Sequence, residues 1–162
     1  MLRTLFVLAM VLTLVSPASA QQVRDYYLVG GAQDAAGRET MTDYVDAASI
    51  VSPTPDTRRA WTWNFVAPYS SSEFAGQHGV SLREFNCVTR QMRFIQSTFY
   101  TTTGEARPSS SRASPWEYVT PGTMGEFELN FVCSAPETWP PIATRLYGQT
   151  PADHAAAAFA SR

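Results

Sequence analysis

The chain has 162 residues, 12 basic against 14 acidic, and a formal net charge of −2. Every basic residue is an arginine; lysine is absent. A mildly acidic chain without a basic run does not hold nucleic acid or an anionic membrane by bulk charge, and its length suits one domain with a real core.

Residues 1–20 read as a cleaved export signal. Arg3 supplies the positive start, Leu5 to Val15 is an apolar run, and Ala18-Ser19-Ala20 has the small-x-small pattern of a cleavage site. The alternative, an uncleaved anchor, asks for ~20 apolar residues, more than this run offers. No cysteine stands at or near position 21 to accept a lipid. Cleavage after Ala20 predicts an exported chain, periplasmic or secreted, neither lipid-anchored nor inserted in a membrane. Loss of Arg3 leaves eleven basic and fourteen acidic residues, a net charge of −3.

Tyr26 to Gly30 is short, aromatic and β-branched and stops at Gly30-Gly31, a first strand; residues 32–40 are a polar loop. Tyr44 to Val51 predicts a second strand broken near Ala47-Ala48, followed by a two-proline turn at Ser52–Asp56. Asp43 and Asp46 are three apart, so beside a strand they point to opposite faces and read as solvated turn or edge charges.

Arg59 to Ala67 alternates most cleanly. Trp61, Trp63, Phe65 and Ala67 share one face, Thr62, Asn64 and Val66 the other, which predicts a half-buried strand. Tyr69 to Gly79 is a Ser- and Gly-containing loop holding His78.

Val80–Val88 and Gln91–Thr102 predict a hairpin through Thr89-Arg90, with Arg83, Phe85 and Cys87 on one face. A break in phase at Phe94-Ile95 predicts a bulge. Gly104 to Pro115 has no periodicity and reads as an exposed or mobile loop. Trp116–Val119 is a short last strand.

Met124 to Cys133 supports two readings. Thr123-x-x-Glu126 is a capping box and argues for a helix; strict alternation of Phe127, Leu129, Phe131 and Cys133 argues for a strand. Residues 134–149 are irregular and Pro-rich. Thr150-Pro151 then opens a short helix signal that runs to Ala160.

Cys87 and Cys133 are the only cysteines. In an oxidising compartment an even count predicts a disulfide, closing a loop of about 47 residues. The competing reading is two free thiols, but no Cys-x-x-Cys spacing favours redox chemistry.

In this order the motifs YYLVG (Tyr26–Gly30), YVDAASI (Tyr44–Ile50), REFNC (Arg83–Cys87), RQMRFIQSTFY (Arg90–Tyr100) and WEYVTPGTMGEFELNFVC (Trp116–Cys133) resemble the surface-adhesin protein E family of exported bacterial domains. The resemblance implies an α+β fold. A single antiparallel, curved sheet of about six strands carries a C-terminal helix, Met124–Cys133, on its concave face, tied down by the disulfide. A helix in a concave sheet is enclosed on much of its circumference, so apolar residues all round it are expected. The domain would span 21–135, followed by a Pro- and Ala-rich extension at 136–162 with a short helix at 151–160.

The family is named for a lipid-anchored adhesin that binds host extracellular proteins and forms dimers. What carries over is a non-enzymatic envelope domain whose partner is an envelope or extracellular protein, with a homodimer as a further expectation. The chain departs from the pattern in lacking both the lipid-acceptor cysteine and lysine.

The residues offer little catalytic chemistry. His78 and His154 are the only histidines, there is no Gly-x-Ser-x-Gly or Ser-x-x-Lys, and no His/Cys/Asp/Glu cluster has metal-ligand spacing. No catalytic, metal or cofactor residue is assigned. The candidate partner surface consists of Arg58, Arg59, Tyr69, His78, Arg107 and Arg112, with Trp139 as a further loop aromatic; loops on a rigid sheet carry recognition. The second reading is a periplasmic carrier with an aromatic pocket between sheet and helix. Its lining would be drawn from Trp61, Trp63, Phe65, Phe94, Phe99, Tyr100, Phe127 and Phe131. The competing assignment of these rings is the core.

Overall fold

A computed structural model describes residues 24–139 and 141–160; the expected signal at 1–20 and its cleavage point lie outside the described residues. The strands are β1 (Tyr26–Gln33), β2 (Glu39–Asp46), β3 (Val51–Thr54), β4 (Thr57–Val66), β5 (His78–Asn86), β6 (Gln91–Tyr100), β7 (Glu117–Tyr118) and β8 (Thr144–Arg145). Two helices follow late in the chain, α1 (Met124–Cys133) and α2 (Pro151–Ala160). All strands join one antiparallel sheet in the order β7-β6-β5-β4-β2-β1-β8, with β3 beside the first half of β4. The sheet is open and curved, and the class is α+β.

Eight strands replace the expected six or so. The first connector is shorter than its polarity suggests: Glu39, within the expected loop, already pairs with β1, and Met41 to Asp43, ahead of the expected second strand, pair with β1 and β4. Ser52 to Thr54, read as turn, run along β4 because an edge strand needs few donors and tolerates Pro53. Thr144-Arg145 adds a two-residue edge opposite Tyr27 and Leu28. The bulge falls as expected: Leu82 lies opposite Gln96 and Arg83 opposite Phe94, leaving Ile95 extra.

The period of two sorts β1, β2 and β4 onto opposite faces. Tyr27 opposes Val45 and Leu28 opposes Tyr44, so neighbours in sequence go to different sides. On one side Val29, Val45, Ala60 and Phe85 meet Leu129, Phe131 and Val132 of α1. On the other, Tyr44 packs with Leu146 and Ala155, flanked by Tyr26, Leu28, Trp63, Phe65 and Phe159. The aromatic face of β4 therefore points away from α1, towards α2. Its smaller, more polar face is the more deeply buried: Thr62 is buried while Trp61, Trp63 and Phe65 are half-buried.

The ambiguous segment is a helix. Thr123 is its N-cap in extended conformation, but the capping box forms in altered form. The Thr123 hydroxyl donates to the Thr120 carbonyl (2.7 Å), and the Glu126 carboxylate accepts from the Gly122 N–H (2.7 Å). Gly122 has φ +76°, a conformation open mainly to glycine. The helix is walled by the sheet beneath and by Trp139, whose ring stacks on Phe131 at 4.5 Å and whose indole N–H donates to the Phe131 carbonyl (2.9 Å). Trp139 is thus half-buried packing and not a free loop aromatic.

Cys87, just past β5, and Cys133, the last residue of α1, form a disulfide with 5.6 Å between Cα atoms. Loop-closure entropy across 46 residues puts its contribution at about 4 kcal/mol as an upper guide. The Cys87→Ser/Cys133→Ser double variant is expected to lose stability on that scale in urea unfolding. A loss below about 1 kcal/mol would show that packing alone seats α1.

Candidate functional site

Beneath α1 lies a group of charges. Glu128 projects from the helix into the sheet fully buried, and its carboxylate accepts from the Arg83 guanidinium. Arg83 also lies over the Phe94 ring, 4.7 Å from guanidinium carbon to centroid. Asp43 of β2 is buried beside this pair and 2 % exposed, and one of its oxygens has no hydrogen-bond partner. Burial, reinforced by the nearby Glu128 charge and opposed by Arg83, pushes the Asp43 carboxyl up to about 8. Burial also raises Glu128, against the pull of Arg83. At neutral pH Asp43 therefore keeps its proton.

Asp43 and Asp46 are not solvated edge charges. They do point to opposite faces, yet both are buried, because the sheet is covered on each side. Asp46 caps the short 3-10 turn through the Ala48 N–H (3.2 Å) and pairs with Arg24 at 3.0 Å.

A second feature sits at the end of the sheet where β4 and β6 finish and β5 begins. The connector after β4 and the connector after β6 adjoin there; a side chain at Gly76 would meet the Thr102 methyl at 2.9 Å. The later connector is not loose. It runs back along β6, with Ser97 and Ser110 exchanging N–H···O bonds (both 2.9 Å) and the Arg107 N–H donating to the Phe99 carbonyl (2.7 Å). Between the two connectors is a groove of about 450 Å3. Met41, Val66, Phe74, Phe94 and Phe99 supply its apolar wall; Asn64, Gln77, His78, Arg83 and Arg107 supply polar groups.

The six candidate residues scatter. Arg107 and His78 both line the groove, and Arg112 follows Arg107 on the same connector. Tyr69 belongs to the other connector; its hydroxyl donates to the Glu39 carbonyl (2.7 Å) and Arg38 covers its ring. His78 lies between Phe65 and Tyr100, stacked at 5.0 and 4.5 Å, and burial lowers its pKa. Arg58 is at the opposite end of β4, bonded to the Pro55 and Thr57 carbonyls. Arg59 is held by Glu84, which also takes Arg93.

The rings expected to share one pocket are split by strand alternation. Trp63 and Phe65 face α2, Phe131 is core beneath α1, and only Phe94 and Phe99 reach the groove. The charge group under α1 was not anticipated; the signal was Arg83 sharing a face with Phe85 and Cys87. Among the described residues no group of three or more His, Cys, Asp or Glu stands close enough to hold a metal ion.

A curved open sheet with a disulfide-tied helix across one face defines a small α+β domain. Residues 32–134 match the family described as Surface-adhesin protein E, and the chain belongs to that family. Among solved structures it is similar to Haemophilus influenzae protein E, crystal form II, at 16% identity, covering 56% of this chain and 79% of that one with a TM-score of 0.40. No curated protein matches the chain.

The Asp43 carboxyl gives a testable pH dependence. Unfolded, it ionises near 3.8; folded, it holds its proton to about 8. The unfolded state thus binds fewer protons between those values, and stability falls as pH rises through that window. The Asp43→Asn variant is expected to lose this component. Its Tm should gain on that of the parent chain between pH 5 and 8; parallel Tm–pH curves would refute the assignment.

Proposed function

We propose that the chain is a non-enzymatic, exported envelope domain that binds an envelope or extracellular protein through the connector end of its sheet. Family membership supports an exported adhesin-type role. The observation that carries the reading is the exposed surface at that end. Phe74, Phe99 and Tyr69 expose 49%, 45% and 38% of their area, and Arg107 lines the groove with Phe74 and Phe99. Solvent-exposed aromatics next to arginine are the composition of protein-binding hot spots.

Among the described residues no helix is long and apolar enough to cross a membrane. Residence in the periplasm or medium is part of the same proposal and rests on removal of residues 1–20. Mass spectrometry of the exported chain is expected to find Gln21 as the first residue; retention of the leader would reverse that part.

Binding is tested by surface plasmon resonance of the folded chain against purified extracellular-matrix and envelope proteins. A saturable partner is expected. The Arg107→Glu/Arg112→Glu variant should slow its association by about three- to tenfold, because rim charges act mainly on encounter. Absence of saturable binding to any of these proteins would overturn the reading.

A further inference from the structure

The groove between the two connectors also has the form of a small-molecule site. Its volume of about 450 Å3 falls within the roughly 300–1,000 Å3 of ligand pockets. Its wall is mostly apolar, with a few polar groups, the usual division between burial and orientation. Position 79 has no side chain, and its neighbours close over it: a Cβ on Gly79 would stand 2.5 Å from the Asn64 side-chain oxygen and 3.1 Å from the Phe99 ring. Glycine here lets Asn64 and Phe99 pack tightly against the strand at the floor of the groove.

The charges select the ligand. Arg83 is committed to Glu128 and to the face of Phe94. Arg107 has no such partner: among the described residues no carboxylate lies within ion-pair distance of it, although Glu73 and Glu105 belong to the same connectors. Its backbone is fixed to Phe99, so its side chain rises from a held position at the mouth. A neutral ligand would leave this cation unused, and a cationic one would be repelled by it.

We infer that the groove binds a small amphipathic carboxylate, its apolar body against Phe74, Phe94 and Phe99 and its carboxylate on Arg107, with the Asn64 amide as a second polar contact. This goes beyond the protein-binding reading and does not rest on it.

Isothermal titration calorimetry with octanoate and with 1-octanol, which share one alkyl chain, tests the inference on the folded mature chain. Octanoate is expected to bind at one site, and 1-octanol about tenfold more weakly. Arg107→Gln should weaken octanoate by about three- to tenfold and leave 1-octanol unchanged. Arg112→Gln, on the same connector but outside the groove, should bind octanoate as the parent does. Equal binding of acid and alcohol, no effect of Arg107→Gln, or no saturable octanoate binding would each overturn the inference. Surface plasmon resonance of a protein partner at saturating octanoate separates the two uses of this end: unchanged partner binding leaves both intact.

Discussion

The fold depends on holding ten residues of weak helical preference across the face of a sheet. Met124–Cys133 alternates like a strand and carries Gly125, which costs a helix up to ~1 kcal/mol. An isolated helix of this length is marginal in water. Three constraints overcome this. The Glu126 carboxylate satisfies a backbone donor at the start, the disulfide fixes the end, and burial of Leu129, Phe131 and Val132 rewards the middle. With α1 seated, Phe85 and Val45 acquire partners, and Trp139 has a surface to close over.

Seating α1 also buries charge. Glu128 lies on the helix between Phe127 and Leu129, and the face that docks Leu129 carries it inward. Its partner Arg83 was already on that side of β5 through the register with Ala60. A buried pair of this kind offsets its desolvation only when well bonded. Here one Glu128 oxygen accepts from Arg83 while its other oxygen and the Arg83 Nε lack partners, and Asp43 is accommodated by keeping a proton. A buried group bonded this incompletely adds little net stability.

Much of the sheet was legible in the residues because period-two alternation is a local signal. The β5–β6 hairpin and its bulge follow from where the phase of apolar residues breaks. What alternation does not reveal is which face a helix will choose. The indole-rich side of β4 looks like the core, yet α1 covers Ala60 and Thr62, because small side chains let a helix approach closely. Edge strands β3 and β8 escaped notice since two to four exposed residues have no periodicity to read. The connector 104–115 is ordered by backbone hydrogen bonds to β6 and by the Ser109 and Ser114 hydroxyls, none of which sets up a periodicity. Kinship decides for helix α1; the residues themselves are divided, the capping box arguing for a helix and the alternation for a strand.

Pairing decides which surface charges remain available to a partner. Seven of the arginines among the described residues are matched to a carboxylate: Arg24, Arg38, Arg59, Arg83, Arg90, Arg93 and Arg145. Arg58, Arg107 and Arg112 are not. Arg58 is tied to its own hairpin carbonyls at one end of the sheet, so the uncommitted charge at the other end is Arg107, which lines the groove with exposed Phe74 and Phe99. A chain of net negative charge thereby presents a local cationic, aromatic end. Such an end steers negatively charged groups through proximity rather than through the field of the whole molecule, which at ordinary ionic strength fades beyond about 8–10 Å.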